Sequence, residues 1–371
     1  MPHRRLTMPN SNTDFRSFGT DEFLAQRARV LAQQIAGASP EEVSSLADQV
    51  QKMGREFADC GFGGALATYA ISWLNDALSQ RVVALCAQSA RLPAASWCWV
   101  NLGSAARQEQ TLTTDQDNGL IFTASDEAEA EELRTVFLPF ACEVNRRLSD
   151  AGFTLCPGDI MAGNVKWCRS LDEWVQLFYD WIHKPEPEAL LNATIFFDLR
   201  PLYGDMDLAS ILHQRLAQWS GGSSAQIFLR LMATNALTAE PPIGFTGDIV
   251  TEKDGKDRFI DIKKYGIRIF VDAARIMALS AGVPDADTRS RFLKAGPAFG
   301  LNERDIEATL GAMSALQRIR LDYQSYALRE GARVDNHVQP SLLNSFDQVL
   351  LREGLKQAKR LQQQIRLNLQ L

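Results

Sequence analysis

Apolar residues recur at three- and four-residue steps soon after the chain begins. Leu24, Ala28, Leu31 and Ile35 form one stripe, the spacing of an amphipathic helix from Asp21 onward. Ser39-Pro40-Glu41-Glu42 reads as the start of a second helix, with Ser39 as its cap and Pro40 in its first turn. Helical spacing continues to Ser89, interrupted between Gly61 and Gly64. Residues 1–20 are polar and aperiodic, the pattern of a flexible tail.

The period changes after Arg91-Leu92-Pro93. Ser96 to Leu102 is rich in aromatic and β-branched residues and ends at a glycine, which predicts a buried strand. Gly119 to Phe122 predicts a second. Leu133, Phe137, Phe140, Val144 and Leu148 then mark a helix, entered through the acidic run Asp126–Glu132 and closed by Gly152. Phe153 to Cys156 predicts a third strand. Trp174, Leu177, Phe178 and Trp181 mark a further helix, ended by Pro185 and Pro187.

Gly221 to Ser224 reads as a hinge or turn, and Pro241 opens a polar loop running to Asp257. Helices dominate beyond it. Ile306, Leu310, Met313 and Leu316 share one face, and Leu351, Leu355, Ala358, Leu361 and Ile365 share another. The whole pattern predicts an α+β protein: a tail (1–20), an N-terminal helical segment (21–90), a small mixed-sheet unit (91–200) and a C-terminal helical unit (201–371).

Composition narrows the function. Of 371 residues, 46% are hydrophobic and 23% charged, enough to bury a sizeable core. The formal charge of -6 disfavours a polynucleotide partner. Six cysteines without paired spacing read as reduced thiols of a cytoplasmic protein, and four histidines leave no histidine-rich metal site. The basic opening residues precede no apolar run, so neither a signal peptide nor a membrane span is expected.

The candidate chemistry lies between the first two strands. Gly103-Ser104 leaves the first strand without bulky side chains. Backbone N–H groups and the Ser104 hydroxyl can therefore approach a triphosphate, with Arg107 adding a charged contact. Asp115 and Asp117 lie two positions apart. On an extended segment both side chains leave one face and can hold magnesium or manganese.

Gly103-Ser104 through Arg107 and Glu109, then Thr114-Asp115-Gln116-Asp117-Asn118-Gly119, resembles the nucleotidyltransferases related to the N-terminal domain of protein-PII uridylyltransferase. The similar branch is often fused to CBS and cyclic-nucleotide-binding domains. Gly152 to Gly158, Met161 to Asn164 with Trp167, Phe196 to Arg200, and Asp261 to Gly266 with Asp335-Asn336 resemble its later blocks. Two departures stand out. Ala106 replaces a glycine, and its methyl is expected to narrow the approach to phosphate. Asn164 is followed by Val165 rather than proline.

The resemblance implies a polymerase β-type nucleotidyltransferase domain over residues 91–200 and a substrate-binding domain over residues 201–371. It places phosphate contacts at Gly103, Ser104, Arg107 and Glu109, and a metal on Asp115 and Asp117. Asp159 is the candidate third carboxylate, and Lys263 and Lys264 are candidate substrate contacts. The implied reaction moves a nucleoside monophosphate from a nucleoside triphosphate to an acceptor hydroxyl, such as a protein tyrosine. The alternative is a non-catalytic nucleotide-binding regulator. Asp198 and Asp205 are expected to brace helices. Arg318 and Arg320 are expected to form salt bridges, Arg320 off the apolar stripe. His337 is expected in a turn, and Trp97, Trp99, Trp174 and Trp181 in the core.

Overall fold

The computed structural model describes residues 19–371 apart from 221–224, 246 and 255–256. The tail expected at 1–20 falls almost wholly outside the described residues, and the expected hinge at Gly221–Ser224 does so entirely.

Three helices precede the sheet: α1 (Gly19–Gly37), α2 (Val43–Asp59) and α3 (Gly64–Ser89). The stripe from Leu24 to Ile35 is buried as its spacing requires. The second helix begins later than its sequence suggests. Residues 39–42 close a turn through Glu42 N–H to the Ser39 carbonyl, 3.2 Å, and Ser39 N–H donates to the Glu42 carboxylate, 2.7 Å. Ser39 therefore opens this turn rather than capping the helix, and helical winding starts at Val43.

The sheet order is β3-β2-β1-β4, with β1 (Trp97–Leu102), β2 (Asn118–Phe122), β3 (Cys168–Ser170) and β4 (Leu199–Gly204). β1 is antiparallel to β2 and β4, and β2 is parallel to β3, so the sheet is mixed. Phe153–Cys156 is not one of its strands. Thr154 makes a single bridge to Asp115, because its N–H donates to Thr114 and its carbonyl accepts from Gln116. That segment runs alongside the carboxylate loop, and Cys168–Ser170 takes the place beside β2. β4 carries Pro201, which an edge strand tolerates.

Alternation along the strands divides the core. Cys98, Val100, Leu102 and Ile121 join one cluster, while Trp99, Leu120 and Phe122 join the other. The second cluster holds α1–α3 and α5 (Glu127–Asp150) against the sheet, after the single turn α4 (Gly103–Ala106). Asp126 caps α5 by accepting from Glu129 N–H, 2.9 Å. The first cluster unites α6 (Leu171–His183), α7 (Pro187–Phe196), α8 (Asp207–Ser220) and α9 (Ala225–Ala236) with the C-terminal unit.

The expected polar loop is partly a hairpin, β5 (Glu252–Asp254) with β6 (Asp257–Asp261). A π-helical turn at Lys263–Ile267 leads into α10 (Arg268–Ser280), then α11 (Thr288–Ala295) and α12 (Glu303–Arg329). β7 (His337–Val338) pairs with β6, and α13 (Ser345–Leu369) closes the chain. Among the described residues no helix is long and apolar enough to cross a membrane. The cysteines among them are all free, three of them buried.

Candidate functional site

The end of β1 sets the loop that follows. Leu102 N–H donates to the Asp117 carbonyl, 2.9 Å, and Gly103 N–H to the Asp198 carbonyl, 3.0 Å. Gly103 then takes φ +53°, in the left-handed region that glycine enters without a steric cost. A Cβ on Gly103 would stand 3.0 Å from an Asp117 carboxylate oxygen. The turn thus brings bare backbone directly against the carboxylate. Ser104 is half-buried beside it, and its carbonyl accepts from Glu109 N–H, 2.9 Å.

The carboxylates owe their common face to the residue between them. Gln116 is buried, its side-chain amide donating to the Asn145 carbonyl, 3.0 Å, and the Phe153 carbonyl, 3.1 Å. Asn145 returns a bond to Gln116 Oε1, 2.8 Å. With Gln116 held inward, alternation turns Asp115 and Asp117 to the opposite side. Burial pushes the Asp117 carboxyl above its usual value. The Cys156 thiol, by hydrogen bonding, opposes this; the Asp115 charge adds to it, and Lys263 and Arg107 oppose it. A divalent cation would relieve this crowding of negative charge. Among the described residues no cluster of three or more His, Cys, Asp or Glu forms a metal site. Two carboxylates still suit magnesium, which leaves its other positions to water and substrate phosphate.

Arg107 is more committed than a free phosphate ligand. Its Nε pairs with Glu109, 2.8 Å, and its Nη1 with Asp198, 2.5 Å. Asp198, expected only to brace a helix, is instead a fully buried hub. It also binds Arg275, 2.6 Å, and Arg291, 2.5 Å. No spacing rule points to this role, since the partners come from α10 and α11. Asp205 does brace a helix start, accepting from Asp207 N–H, 3.1 Å.

Ala106 is 1% exposed. Its methyl packs inward rather than toward the phosphate approach, which corrects the expected narrowing. Arg200 fixes this turn by donating to the Ala105 and Ala106 carbonyls, at 2.9 and 3.0 Å.

Asp159 is exposed, with φ +54°. Its carboxylate accepts from the Asn164 side chain, 2.8 Å, and its carbonyl from the Trp167 indole, 3.0 Å. Its charge is felt at Cys142, on α5.

The C-terminal unit adds two cations. Lys263 follows β6 and is open to solvent, yet the groups around it lower its basicity. Desolvation lowers it first and Arg320 next, while Asp115 and Asp117 oppose them. Lys264 turns elsewhere, over the Tyr265 ring at 4.6 Å. The structure thus separates the two lysines.

Arg320 was expected off the apolar stripe and in a salt bridge. It lies four positions after Leu316 and seven after Met313, so it continues that stripe. Its Nε donates to Asn336 Oδ1, 2.7 Å, and among the described residues no carboxylate pairs with it. A cation at an apolar spacing was the overlooked signal. Arg318 does pair, with Asp322 at 2.7 Å. His337 packs on Phe259, with ring centroids 4.3 Å apart, and its N–H donates to Asp335.

Residues 48–188 match the family described as "Putative nucleotidyltransferase DUF294". Residues 226–369 match "Putative nucleotidyltransferase substrate binding domain". No curated protein matches the chain.

Proposed function

Since the chain belongs to the DUF294 nucleotidyltransferase family and carries that family's substrate-binding domain, we propose that it moves a nucleoside monophosphate from a nucleoside triphosphate to an acceptor hydroxyl. One observation supports this reading: Gly103 meets the Asp117 carboxylate, so a bare glycine turn suited to phosphate and a carboxylate pair lie together.

Asp115 and Asp117 would hold magnesium or manganese. When bound, that ion supplies positive charge to the α-phosphate and the leaving oxygen. The chain's own groups do the rest. Backbone N–H groups near Gly103 and the Ser104 hydroxyl bind phosphate oxygens. Arg107, held by Glu109 and Asp198, keeps that turn in place as well as adding charge. Lys263 faces the carboxylates from the C-terminal unit and attracts the anionic substrate. The acceptor oxygen forms its bond to the α-phosphorus, pyrophosphate leaves with the electrons of the broken bond, and the acceptor proton passes to water. The acceptor is a hydroxyl, in our proposal a protein tyrosine, as the likeness to protein-PII uridylyltransferase suggests. Asp115 and Asp117 suffice for this scheme, and Asp159 receives no step in it.

A nucleotide-binding regulator is the second reading. It is favoured by one fact, the lack of a third acidic group beside the pair among the described residues. Incubation with each labelled nucleoside triphosphate, magnesium and cell lysate separates the two. The transferase releases pyrophosphate and labels an acceptor. A regulator binds nucleotide and releases none.

A further inference from the structure

Asn336 acts on two elements at once. Its side-chain oxygen accepts from Arg320 Nε, 2.7 Å, and its backbone carbonyl accepts from Ile262 N–H, 3.0 Å. Ile262 immediately precedes Lys263. The pairing of Asp261 with His337 fixes the register of these two segments. One residue therefore sets a guanidinium from α12 beside an ammonium from the π-helical turn.

Neither cation has an ion-pair partner among the described residues. Arg107, Arg275 and Arg291 each have at least one. Among the described residues only the Nε of Arg320 is engaged, which leaves the fork of its two terminal nitrogens to a ligand. Desolvation lowers Arg320 to about 10, and Lys263 is lowered by desolvation from the surrounding atoms and by Arg320. Two neighbouring cations with no carboxylate in direct ion-pair contact are costly, and an anion with several oxygens relieves both. Both lie within electrostatic reach of Asp115 and Arg107, which puts them near the carboxylate pair and the glycine turn.

We propose that Arg320 and Lys263, set together by Asn336, form a subsite for the polyphosphate tail of the nucleotide. Arg320 binds phosphate oxygens in a planar, two-pronged contact, and Lys263 adds a point charge. Asn336 is a positioning residue, since it reaches the ligand only through Arg320. The subsite deepens the nucleotidyl-transfer reading and rests on it for the identity of the phosphates.

The test is calorimetric titration of the full chain with inorganic tripolyphosphate and, separately, orthophosphate, without divalent cation. Arg320→Gln is expected to weaken tripolyphosphate binding about tenfold or more, the scale of one charge-assisted hydrogen bond. Asn336→Ala should weaken it severalfold, and Arg320→Lys should fall between wild type and Arg320→Gln. The affinity ratio of tripolyphosphate to orthophosphate should fall in each variant, whereas general loosening would lower both affinities together. Lys263→Gln provides an independent second variant should Arg320→Gln misfold. Wild-type affinity in Arg320→Gln and Lys263→Gln, or no tripolyphosphate binding by the wild type, overturns the subsite. Pyrophosphate release separates the two proposals. An Arg320-dependent tripolyphosphate site in a chain that never releases pyrophosphate keeps the subsite and removes the transferase. Release with the same KM in wild type and Arg320→Gln removes the subsite alone.

Discussion

Gly103 and Asp117 touch: the position a Gly103 side chain would occupy lies 3.0 Å from an Asp117 carboxylate oxygen. Gly103→Ala therefore forces the carboxylate aside. The left-handed backbone at φ +53° adds a cost of about 1–2 kcal/mol for a residue with a Cβ. Pyrophosphate release should drop at least tenfold while the thermal midpoint shifts modestly. A fully active Gly103→Ala protein would separate the turn from the chemistry.

Asp115→Asn with Asp117→Asn should abolish transfer without unfolding the protein. Burial and the Asp115 charge raise the Asp117 carboxyl, so the folded state holds that proton more tightly than the unfolded chain does. Ionising Asp117 thus costs stability as pH climbs past the ordinary carboxylate value. At neutral pH the double variant should melt at or above the wild-type temperature. Calorimetry at pH 7 and a pyrophosphate assay check both halves.

Asp198→Asn is expected to be severe, about 3–5 kcal/mol, because it removes the common partner of three buried guanidinium groups. Burial opposes ionisation of Asp198, but Arg275, Arg291 and Arg107 overcome it and hold the carboxyl well below the usual range. Its contribution is therefore present above the ordinary carboxylate value and is lost as pH falls toward the depressed one. Denaturant titrations of wild type and variant should differ at pH 7 and converge in acid.

Ala106→Gly should bring no gain in triphosphate affinity, because the methyl is buried away from the turn's open side. It should cost about 0.5–1 kcal/mol, the usual penalty of glycine within a helical turn. Tighter nucleotide binding by this variant would restore the narrowing expected from sequence.

Periodicity revealed the parts whose partners lie nearby. The stripe from Leu24 to Ile35 and the face from Leu351 to Ile365 are buried because helical spacing alone decides which side packs. The common face of Asp115 and Asp117 followed from alternation, though the pin that enforces it, Gln116 on Asn145, did not. Phe153–Cys156 has the apolar character of a strand, but Thr114 and Gln116 occupy the hydrogen-bonding groups of Thr154. Cys168–Ser170 is too short to show a period. Asp198 looked like a brace because its partners lie 77 to 93 residues away. No local window contains such a relationship.

That separation also has a consequence in time. During synthesis Asp198 emerges 77 residues before Arg275 and 93 before Arg291, while Arg107 has already appeared 91 residues earlier. At ~5–20 residues per second the wait is roughly 4–19 s. Until it ends, the newborn chain has a carboxylate with one cation instead of three. The sheet and the helices before it can take their shape on the ribosome, but the buried cluster around Asp198 is finished by the last third of the chain to be made.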